Sequence, residues 1–507
     1  MAKKLVVVFV HGWSVTNTNT YGGLPARLRN EAKTLGLDLT IKEIFLGRYI
    51  SFHDEVRVKD ISRAFRSAIN DELKNVLKDG SRFACITHST GGPVIRDWWH
   101  RYYDGVKGSG TCPMSHLIML APANFGSALA QLGKGRIGRL KSWVGGVEPG
   151  QGVLDWLELG SSEGWDLNQA WISSDGSQIG AGGIFPFVLT GQSIDRKLYD
   201  NLNTYTGESG SDGVVRVAAA NLNGARIVLR QETPKKTAGS KDGYEAQQLE
   251  IAEFVRAPET AVRVVRRSSH SGKDMGIMRS VSPQAGNRSG RDTVGAIFDC
   301  LSVQTKSQYT SVVKKHAAET QEVQEEERLE VEDRFLLPDS HFIHDRCSMV
   351  VFRVTDDQGH AVKDFDLLLT AGESNDPNLL PRQFFMDRQR NRLNPETITY
   401  FVNFDVMHGA PEVKDGEKLI RPAGQSAKAL GFRVTPRPVD GFVHYLPCQI
   451  QASKELLETA LRPNSTALID IRLQRVVRKN VFRMSRMQGN STAGNFKKTP
   501  AGDDIVD

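Results

Sequence analysis

Arg82-Phe83-Ala84-Cys85-Ile86, followed by Thr87-His88-Ser89-Thr90-Gly91, is the stretch that decides which fold this sequence predicts. The first five residues have the composition of a short buried strand, and Gly91 to Trp99 has that of a helix with a proline near its start. Together they nearly match G-x-S-x-G, a strained strand-to-helix turn that exposes a serine Oγ at the top of a sheet. Thr87 stands where the pattern has glycine, and a serine before a helix can also be a simple N-cap. The motif alone therefore leaves a nucleophile and an N-cap equally open.

A serine nucleophile needs a histidine that takes its proton and an acid that orients the histidine. His270 lies in a polar turn directly after the strand-like stretch Ala261-Val262-Arg263-Val264-Val265. Loops at the carboxyl ends of strands carry the reactive groups of α/β sheets, so we predict that His270 is the base. The alternative, His316, is predicted to lie on the surface of a charged helix.

For the acid we select Asp212, in Gly210-Ser211-Asp212-Gly213-Val214. The glycines allow a tight turn, and the valines anchor it in the core. The preceding strand-like stretch, residues 185–191, brings the chain to the same edge of the sheet. Asp195 and Asp242 are alternatives; Asp195 follows the strand more closely, but it lies in a charged Asp-Arg-Lys segment without the glycine turn.

Two backbone N–H groups must stabilise the oxyanion that forms during acyl transfer. The apolar strand-like run Leu5 to Val10 ends in His11-Gly12-Trp13. We assign Trp13 as the first donor and Thr90, the residue after the nucleophile, as the second. His11 is predicted to shape the loop.

In these stretches the sequence resembles the lipases and esterases of the α/β-hydrolase superfamily. It is similar in particular to the bacterial lipases related to GPI inositol-deacylase and to type VI secretion phospholipase effectors. The matching stretches are Val10-His11-Gly12-Trp13, His88-Ser89-Thr90-Gly91-Gly92, Ala121-Pro122-Ala123-Asn124-Phe125-Gly126-Ser127, Ser211-Asp212-Gly213-Val214 and His270-Ser271-Gly272. The resemblance implies a mostly parallel sheet with a helical lid insert, and a serine hydrolase acting on lipid esters, expected to be a phospholipase of the A type. It implies a phospholipid or membrane-surface substrate, no cofactor and no metal. For an effector, it also implies a secretion apparatus and an immunity protein as partners.

The lid insert is predicted over about 127–180, where four of the seven tryptophans lie: Trp143, Trp156, Trp165 and Trp171. One interpretation is a lid whose apolar face turns towards lipid. The other is a cap that packs its tryptophans permanently inward, as in esterases of small soluble esters. The basic residues at the start of the insert favour the lid.

Composition limits the remaining function classes. The net charge of +6 over 507 residues is too small to indicate nucleic-acid binding. Five widely spaced cysteines show no metal-binding or disulfide pattern, which predicts synthesis in a reducing cytosol. No signal peptide or membrane span is evident, so action outside the cell would require a signal-independent export route.

The length predicts more than one domain. We place the catalytic domain at 1–305, an acidic helical linker at 306–333, a smaller β-sandwich-like domain with antiparallel strands at 334–487, and a disordered tail at 488–507. Strand-like runs with alternating polarity, separated by turn residues, indicate the β-rich domain. Asp356, Asp357, Asp364 and Asp366 could bind calcium as a C2 domain does, but aspartate in a turn is commoner as turn chemistry.

Three other functions remain open. The same triad could transfer the acyl group to an alcohol instead of water, or the enzyme could act on small esters. A catalytically silent binding protein is the third alternative, although such a protein has no physical need of a nucleophile, acid, base and oxyanion loop together.

Overall fold

The structure is a computed structural model that describes residues 3–11, 20–50, 56–77, 80–107, 110–133, 150–194, 210–233, 247–332, 339–439 and 441–477. In these residues no helix has both the length and the apolar character needed to cross a membrane.

The first sheet has six strands, and every neighbouring pair in it is parallel. Its strands are β1 (Lys3–His11), β2 (Leu37–Phe45), β3 (Phe83–His88), β4 (Met114–Leu120), β5 (Phe185–Thr190) and β8 (Ala261–Val264). Their order is β2-β1-β3-β4-β5-β8. β3, β4 and β5 are almost wholly buried, as continuous apolar runs predict for a parallel sheet covered on both faces. The α/β-hydrolase core predicted from the sequence is confirmed.

Helices cover this sheet and connect its strands. They are α1 (Leu24–Ala32), α2 (Val58–Glu72), α3 (Gly91–Tyr102), α4 (Leu129–Gly133), α5 (Gln151–Leu157), α6 (Ser162–Ile172), α7 (Val217–Ala220), α8 (Arg291–Ser302) and α9 (Lys306–Glu326). Short 3₁₀ helices lie at Lys33–Leu35, Leu46–Arg48 and Pro377–Leu379. In α2 the apolar residues Ile61, Phe65 and Ile69 recur every fourth position and are buried against the core.

Helices α4, α5 and α6 form the insert between β4 and β5. Trp156, Trp165 and Trp171 are 3–6% exposed, so they pack inward. Inward packing is expected of a permanent cap and equally of a lid that is closed in water, so the lid and the cap both remain predictions. Trp143 lies outside the described residues.

A second, nine-stranded sheet accounts for most of the C-terminal part. Its strands are β6 (Ala225–Gln231), β7 (Gln247–Arg256), β11 (Cys347–Asp356), β12 (Phe365–Thr370), β13 (Phe385–Arg390), β14 (Thr397–Asn403), β17 (Leu430–Pro436), β19 (Cys448–Ser453) and β20 (Ser465–Leu473), in the order β12-β17-β19-β7-β6-β20-β11-β14-β13. The sheet is mixed: β20 runs parallel to both β6 and β11, and β19 runs parallel to β7.

Strands β6 and β7 come from the first 305 residues but pair within this second sheet. Ile227 and Leu229 of β6 lie in the same apolar cluster as Phe352 and Ile469 of the C-terminal part. The chain therefore crosses from the first sheet to the second between the acid loop and β8, and then returns. The domain boundaries assigned from the sequence remain predictions.

Smaller elements complete the fold. Two-stranded ribbons pair β9 (Leu329–Glu332) with β10 (Ser340–Ile343), β15 (Val413–Asp415) with β16 (Lys418–Arg421), and β18 (Val443–His444) with β21 (Val476–Val477). Two short helices are α10 (Phe404–His408) and α11 (Lys454–Ala460).

Helix α9, within the predicted linker, packs against the edge of the first sheet. Tyr309 Oη donates to Pro186 O at 2.7 Å, and Val264 N donates to Thr320 Oγ1 at 2.9 Å. Through these bonds the helix is attached to the two strands, β5 and β8, that precede the acid and base loops.

Candidate active site

Ser89 lies at the end of β3, in a turn of strained geometry. Its φ is +54°, a left-handed conformation that costs free energy for a residue with a Cβ and often marks a functional site. The turn requires glycine at position 91, because a Cβ there would lie 1.8 Å from Thr87 Oγ1. A Cβ on Gly92 would lie 2.7 Å from Pro122 Cβ, so the start of α3 also requires a glycine. Thr87 is accommodated because Gly91 leaves room for its hydroxyl.

Two hydrogen bonds connect Ser89, His270 and Asp212. His270 Nε2 lies 3.0 Å from Ser89 Oγ, and His270 Nδ1 lies 2.9 Å from Asp212 Oδ2. The imidazole and the carboxylate are buried, and the serine is partly exposed. With the proton assigned to Nδ1, this nitrogen donates to Asp212 and Nε2 accepts the serine hydroxyl. The structure thus brings together three residues separated by up to 181 positions.

Asp212 is fixed by its own turn as well as by the histidine. Its Oδ1 accepts hydrogen bonds from Val214 N at 3.0 Å and Val215 N at 2.8 Å. Gly213 has a φ of +96°, which favours glycine at that position. His270 N also donates to Asp212 O at 2.9 Å, so the acid and base loops are joined through backbone as well as side chains.

His88, the last residue of β3, contacts the backbone of His270. Its Nε2 lies 3.0 Å from His270 O, and the two rings are 4.7 Å apart. Burial and the neighbouring His270 lower the pKa of His88 well below 6.5, so it is neutral at physiological pH. Its Nε2–H can therefore donate to that carbonyl and hold the His270 loop in place.

The predicted oxyanion donors are only partly described. Thr90 precedes α3, and no described residue accepts a hydrogen bond from its N–H. Trp13 lies outside the described residues. His11, next to it in sequence, is 1% exposed and stacks on Phe45 with 4.2 Å between ring centroids. Burial lowers the pKa of His11 to about 4, so its ring is neutral.

Comparison with solved structures identifies the family. Over 97% of its length, this chain matches a structure of phospholipase PlaB from Legionella pneumophila at 43% identity, covering 98% of that chain with a TM-score of 0.82. A structure of the same phospholipase in complex with thio-NAD matches at 43% identity, with 96% and 97% of the two chains covered and a TM-score of 0.81. The chain belongs to the phospholipase PlaB family. As predicted, it is a serine ester hydrolase with an α/β-hydrolase core. No family model and no curated protein matches this sequence.

Of the alternative site residues in this member of the PlaB family, the structure describes His316. His316 is fully buried, so its predicted place on a helix surface is wrong. Its Nε2 is 3.7 Å from Asp299, and burial lowers its pKa. Asp195 and Asp242 lie outside the described residues.

Within the part of the chain that the structure describes, one group of three residues has the spacing of metal ligands, and these residues are engaged in other contacts. Ligand atoms of Asp299, His316 and Glu319 lie within 4.8 Å of one another. However, Lys315 Nζ lies 2.7 Å from Asp299, and Arg263 pairs with Glu319. This cluster is therefore an ion-pair network.

The four aspartates considered for calcium also have protein partners. Asp356 Oδ1 accepts hydrogen bonds from Gln358 N and His360 N, which is turn chemistry. Asp364 and Asp366 pair with Arg437, and Asp357 accepts from Arg475 N at 3.4 Å.

Sequence reasoning missed a buried network beside the nucleophile helix. Arg96 of α3 is 3% exposed and donates to Asn124 Oδ1 at 3.2 Å and to Asn168 Oδ1 at 3.0 Å. Burial lowers the pKa of Arg96 to about 9, which still leaves it charged at neutral pH. The network joins α3 to the loop after β4 and to cap helix α6. An arginine among the apolar residues Val94, Ile95 and Trp98 of the helix was the available signal.

Proposed function

We propose that this chain is a phospholipase in which Ser89 is the nucleophile, His270 the general base and acid, and Asp212 the residue that orients the histidine. The observation that carries the proposal is the pair of hydrogen bonds at 3.0 Å and 2.9 Å that join the three side chains in this order. The strained φ of Ser89 and the glycines that close its turn are the backbone features expected of an exposed nucleophile.

The chemistry proceeds in two halves. Ser89 Oγ attacks the ester carbonyl while His270 Nε2 accepts the hydroxyl proton, and the buried carboxylate of Asp212 stabilises the resulting imidazolium. The N–H groups of Thr90 and Trp13 are proposed to stabilise the tetrahedral oxyanion, each lowering the barrier by roughly 3 kcal/mol. His270 then donates its proton to the departing alcohol. Water, activated by the same imidazole, hydrolyses the acyl-enzyme and restores Ser89.

Membership of a family whose solved representative is a phospholipase supports a phospholipid substrate. We propose hydrolysis of the A type, in which an acyl ester of the phospholipid is cleaved. An esterase of small soluble esters is the alternative, because a permanent cap would bury the same tryptophans as a closed lid does. Acyl transfer would use the same residues with an alcohol in place of water.

The test is to incubate the purified chain with phosphatidylglycerol and phosphatidylcholine vesicles and to measure free fatty acid and lysophospholipid. We expect both products from the unmodified chain and none above background from Ser89→Ala. Ser81→Ala, which alters an exposed serine before β3, is the matched control and should retain activity. Hydrolysis of a soluble p-nitrophenyl ester without phospholipid hydrolysis would favour the esterase. Ester formation with an added alcohol acceptor would favour acyl transfer. Equal activity of Ser89→Ala would contradict the nucleophile assignment.

Delivery to a target cell as an antibacterial effector is a proposal that rests only on the resemblance described above. If it is correct, directing the chain to a bacterial periplasm should stop growth, and the Ser89→Ala variant should not. Normal growth with active enzyme in the periplasm would contradict it.

We also propose that the chain binds a nicotinamide dinucleotide, since its relative was solved in complex with thio-NAD. Ester hydrolysis transfers no electrons, so the dinucleotide would be a ligand and not a reactant. A cavity of about 620 Å³ between α9 and the second sheet is a candidate site. Its lining includes four arginines, which suit a pyrophosphate, together with two glutamates: Arg256, Arg328, Arg346, Arg462, Glu259 and Glu325.

Thermal shift measurements would test dinucleotide binding. NAD should raise the melting temperature of the chain, and nicotinamide riboside, which lacks the pyrophosphate, should raise it less. Arg462→Ala should abolish the difference. No shift with NAD at millimolar concentration would contradict the proposal.

A further inference from the structure

The turn that carries Asp212 is closed by hydrogen bonds that include the residues on either side of Arg216. Asp212 N donates to Val215 O at 3.2 Å, and Val217 N donates to Gly210 O at 2.9 Å. Ser211 and Arg216 form an isolated antiparallel bridge across the turn. Because these bonds close the turn from Gly210 to Val217, a displacement of the Arg216 backbone would also displace Asp212.

The side chain of Arg216 contacts two residues of the second sheet. Its guanidinium lies 3.9 Å from the centroid of the Phe401 ring, and its Nη1 lies 3.7 Å from Asp387 Oδ2. Asp387 and Phe401 are partners in the register of β13 and β14, so one cross-strand pair supplies both contacts. The Arg216 side chain is 4% exposed.

A buried guanidinium is retained only where the surroundings compensate for the loss of its hydration. Here the aromatic face and the carboxylate provide that compensation, and both belong to the second sheet. The backbone carbonyl of Arg216 accepts bonds from Ala219 N at 2.8 Å and Ala220 N at 3.1 Å. These contacts fix Arg216 at both its side chain and its backbone, directly after the acid turn.

We propose that Arg216 is a positioning residue for ester hydrolysis, through which the second sheet holds the turn of Asp212 in its working geometry. This inference rests on the proposed function, because it assigns Arg216 an effect that is exerted through the catalytic acid. The C-terminal sheet then contributes to turnover itself, in addition to covering the hydrolase core.

The first experiment compares Arg216→Met and Arg216→Lys in steady-state hydrolysis of a soluble p-nitrophenyl ester. Methionine keeps an unbranched apolar stem but removes the cation. We expect kcat to fall roughly tenfold for Arg216→Met with KM changed by less than about twofold, because the acid and not substrate binding is disturbed. Arg216→Lys should recover part of kcat, because an ammonium can also lie over the Phe401 ring.

Arg353→Met is the matched control. Arg353 also projects from the second sheet and lies over an aromatic ring, with its guanidinium 4.2 Å from the Trp165 centroid. It contacts the cap, however, and not the acid turn. The kcat of Arg353→Met should stay within about twofold of that of the unmodified chain, since the described contacts of Arg353 are with Trp165 and Asp470 and not with the turn of Asp212. An equal loss of kcat in both arginine variants would overturn the inference.

A double-mutant cycle separates positioning from general stabilisation. If Arg216 acts through Asp212, then Arg216→Met should lower kcat by less than about twofold in a chain that already carries Asp212→Ala. The same fractional loss in both backgrounds would show that Arg216 acts independently of the acid and would overturn the inference. If Arg216→Met does not fold by circular dichroism, Phe401→Leu replaces it in the same cycle, with the same two outcomes. Retained activity in Ser89→Ala would instead refute the proposed function itself.

Discussion

Gly91→Ala is the substitution for which the structure gives the sharpest expectation. A Cβ at residue 91 would lie 1.8 Å from Thr87 Oγ1 and 3.2 Å from Thr87 Cβ. The first distance is far below van der Waals contact, and Thr87 is fully buried, so its hydroxyl cannot turn to solvent. Either the strand end or the first turn of α3 must move, and Ser89 lies between them.

The cost follows from overpacking in a dense core, which typically destabilises by about 1–3 kcal/mol. Thr87→Ala should relieve most of it, because it removes the hydroxyl and leaves only the 3.2 Å contact. The substitution itself should cost little, since no described residue forms a hydrogen bond with Thr87 Oγ1. We therefore expect a favourable coupling of on the order of 1–2 kcal/mol between Gly91→Ala and Thr87→Ala.

The assay is thermal melting of the two single variants and the double variant, with kcat measured on a soluble ester. The double variant should regain most of the melting temperature and activity that Gly91→Ala loses. Gly295→Ala, in α8 with no atom within 4 Å of the added Cβ, is the control and should be neutral or stabilising. If Gly91→Ala is harmless, or if Thr87→Ala does not rescue it, this account of the turn is wrong.

Three further predictions concern the support of the site. His88→Ala should lower kcat roughly five- to tenfold through loss of one hydrogen bond to the His270 loop, whereas His100→Ala on the outer face of α3 should have no effect. The pKa of His11, lowered to about 4, means that the unfolded chain binds more protons than the folded chain between pH 6.5 and 4. Stability should therefore fall as the pH drops through that range, by on the order of 3 kcal/mol from this residue, and His11→Phe should flatten the pH dependence of unfolding. Asn391→Ala removes the hydrogen bond from the Asn391 side chain to Leu159 O at 3.0 Å, which joins the second sheet to the cap. A denaturant titration should show the free energy of unfolding lowered by roughly 1–3 kcal/mol. An unchanged midpoint would show that this contact contributes nothing to stability.

The parts of the fold that were predictable are those encoded locally. β1, β3 and β5 are continuous apolar runs, and the glycine-rich turns around Ser89 and Asp212 carry their geometry in a few adjacent residues. Since the carboxyl ends of parallel strands meet at one edge of a sheet, the placement of Ser89, Asp212 and His270 after β3, β5 and β8 also made their proximity predictable.

What was missed depends on contacts between distant parts of the chain. β6 has a strand-like sequence, but its pairing with β20 joins Ala225 to Ala467 and has no local signal. His316 lies in a charged stretch, yet its side chain is buried and its Nε2 lies 3.7 Å from Asp299 of α8.

The central claim is that Ser89 is a nucleophile activated by His270 and Asp212. The most direct measurement is the site and rate of covalent labelling by a fluorophosphonate, followed by peptide mass spectrometry. The account predicts a single adduct on Ser89, loss of ester turnover in proportion to labelling, and labelling at least about a thousandfold slower in His270→Ala. An adduct on another residue, or full ester turnover by chain that carries the adduct on Ser89, would contradict it.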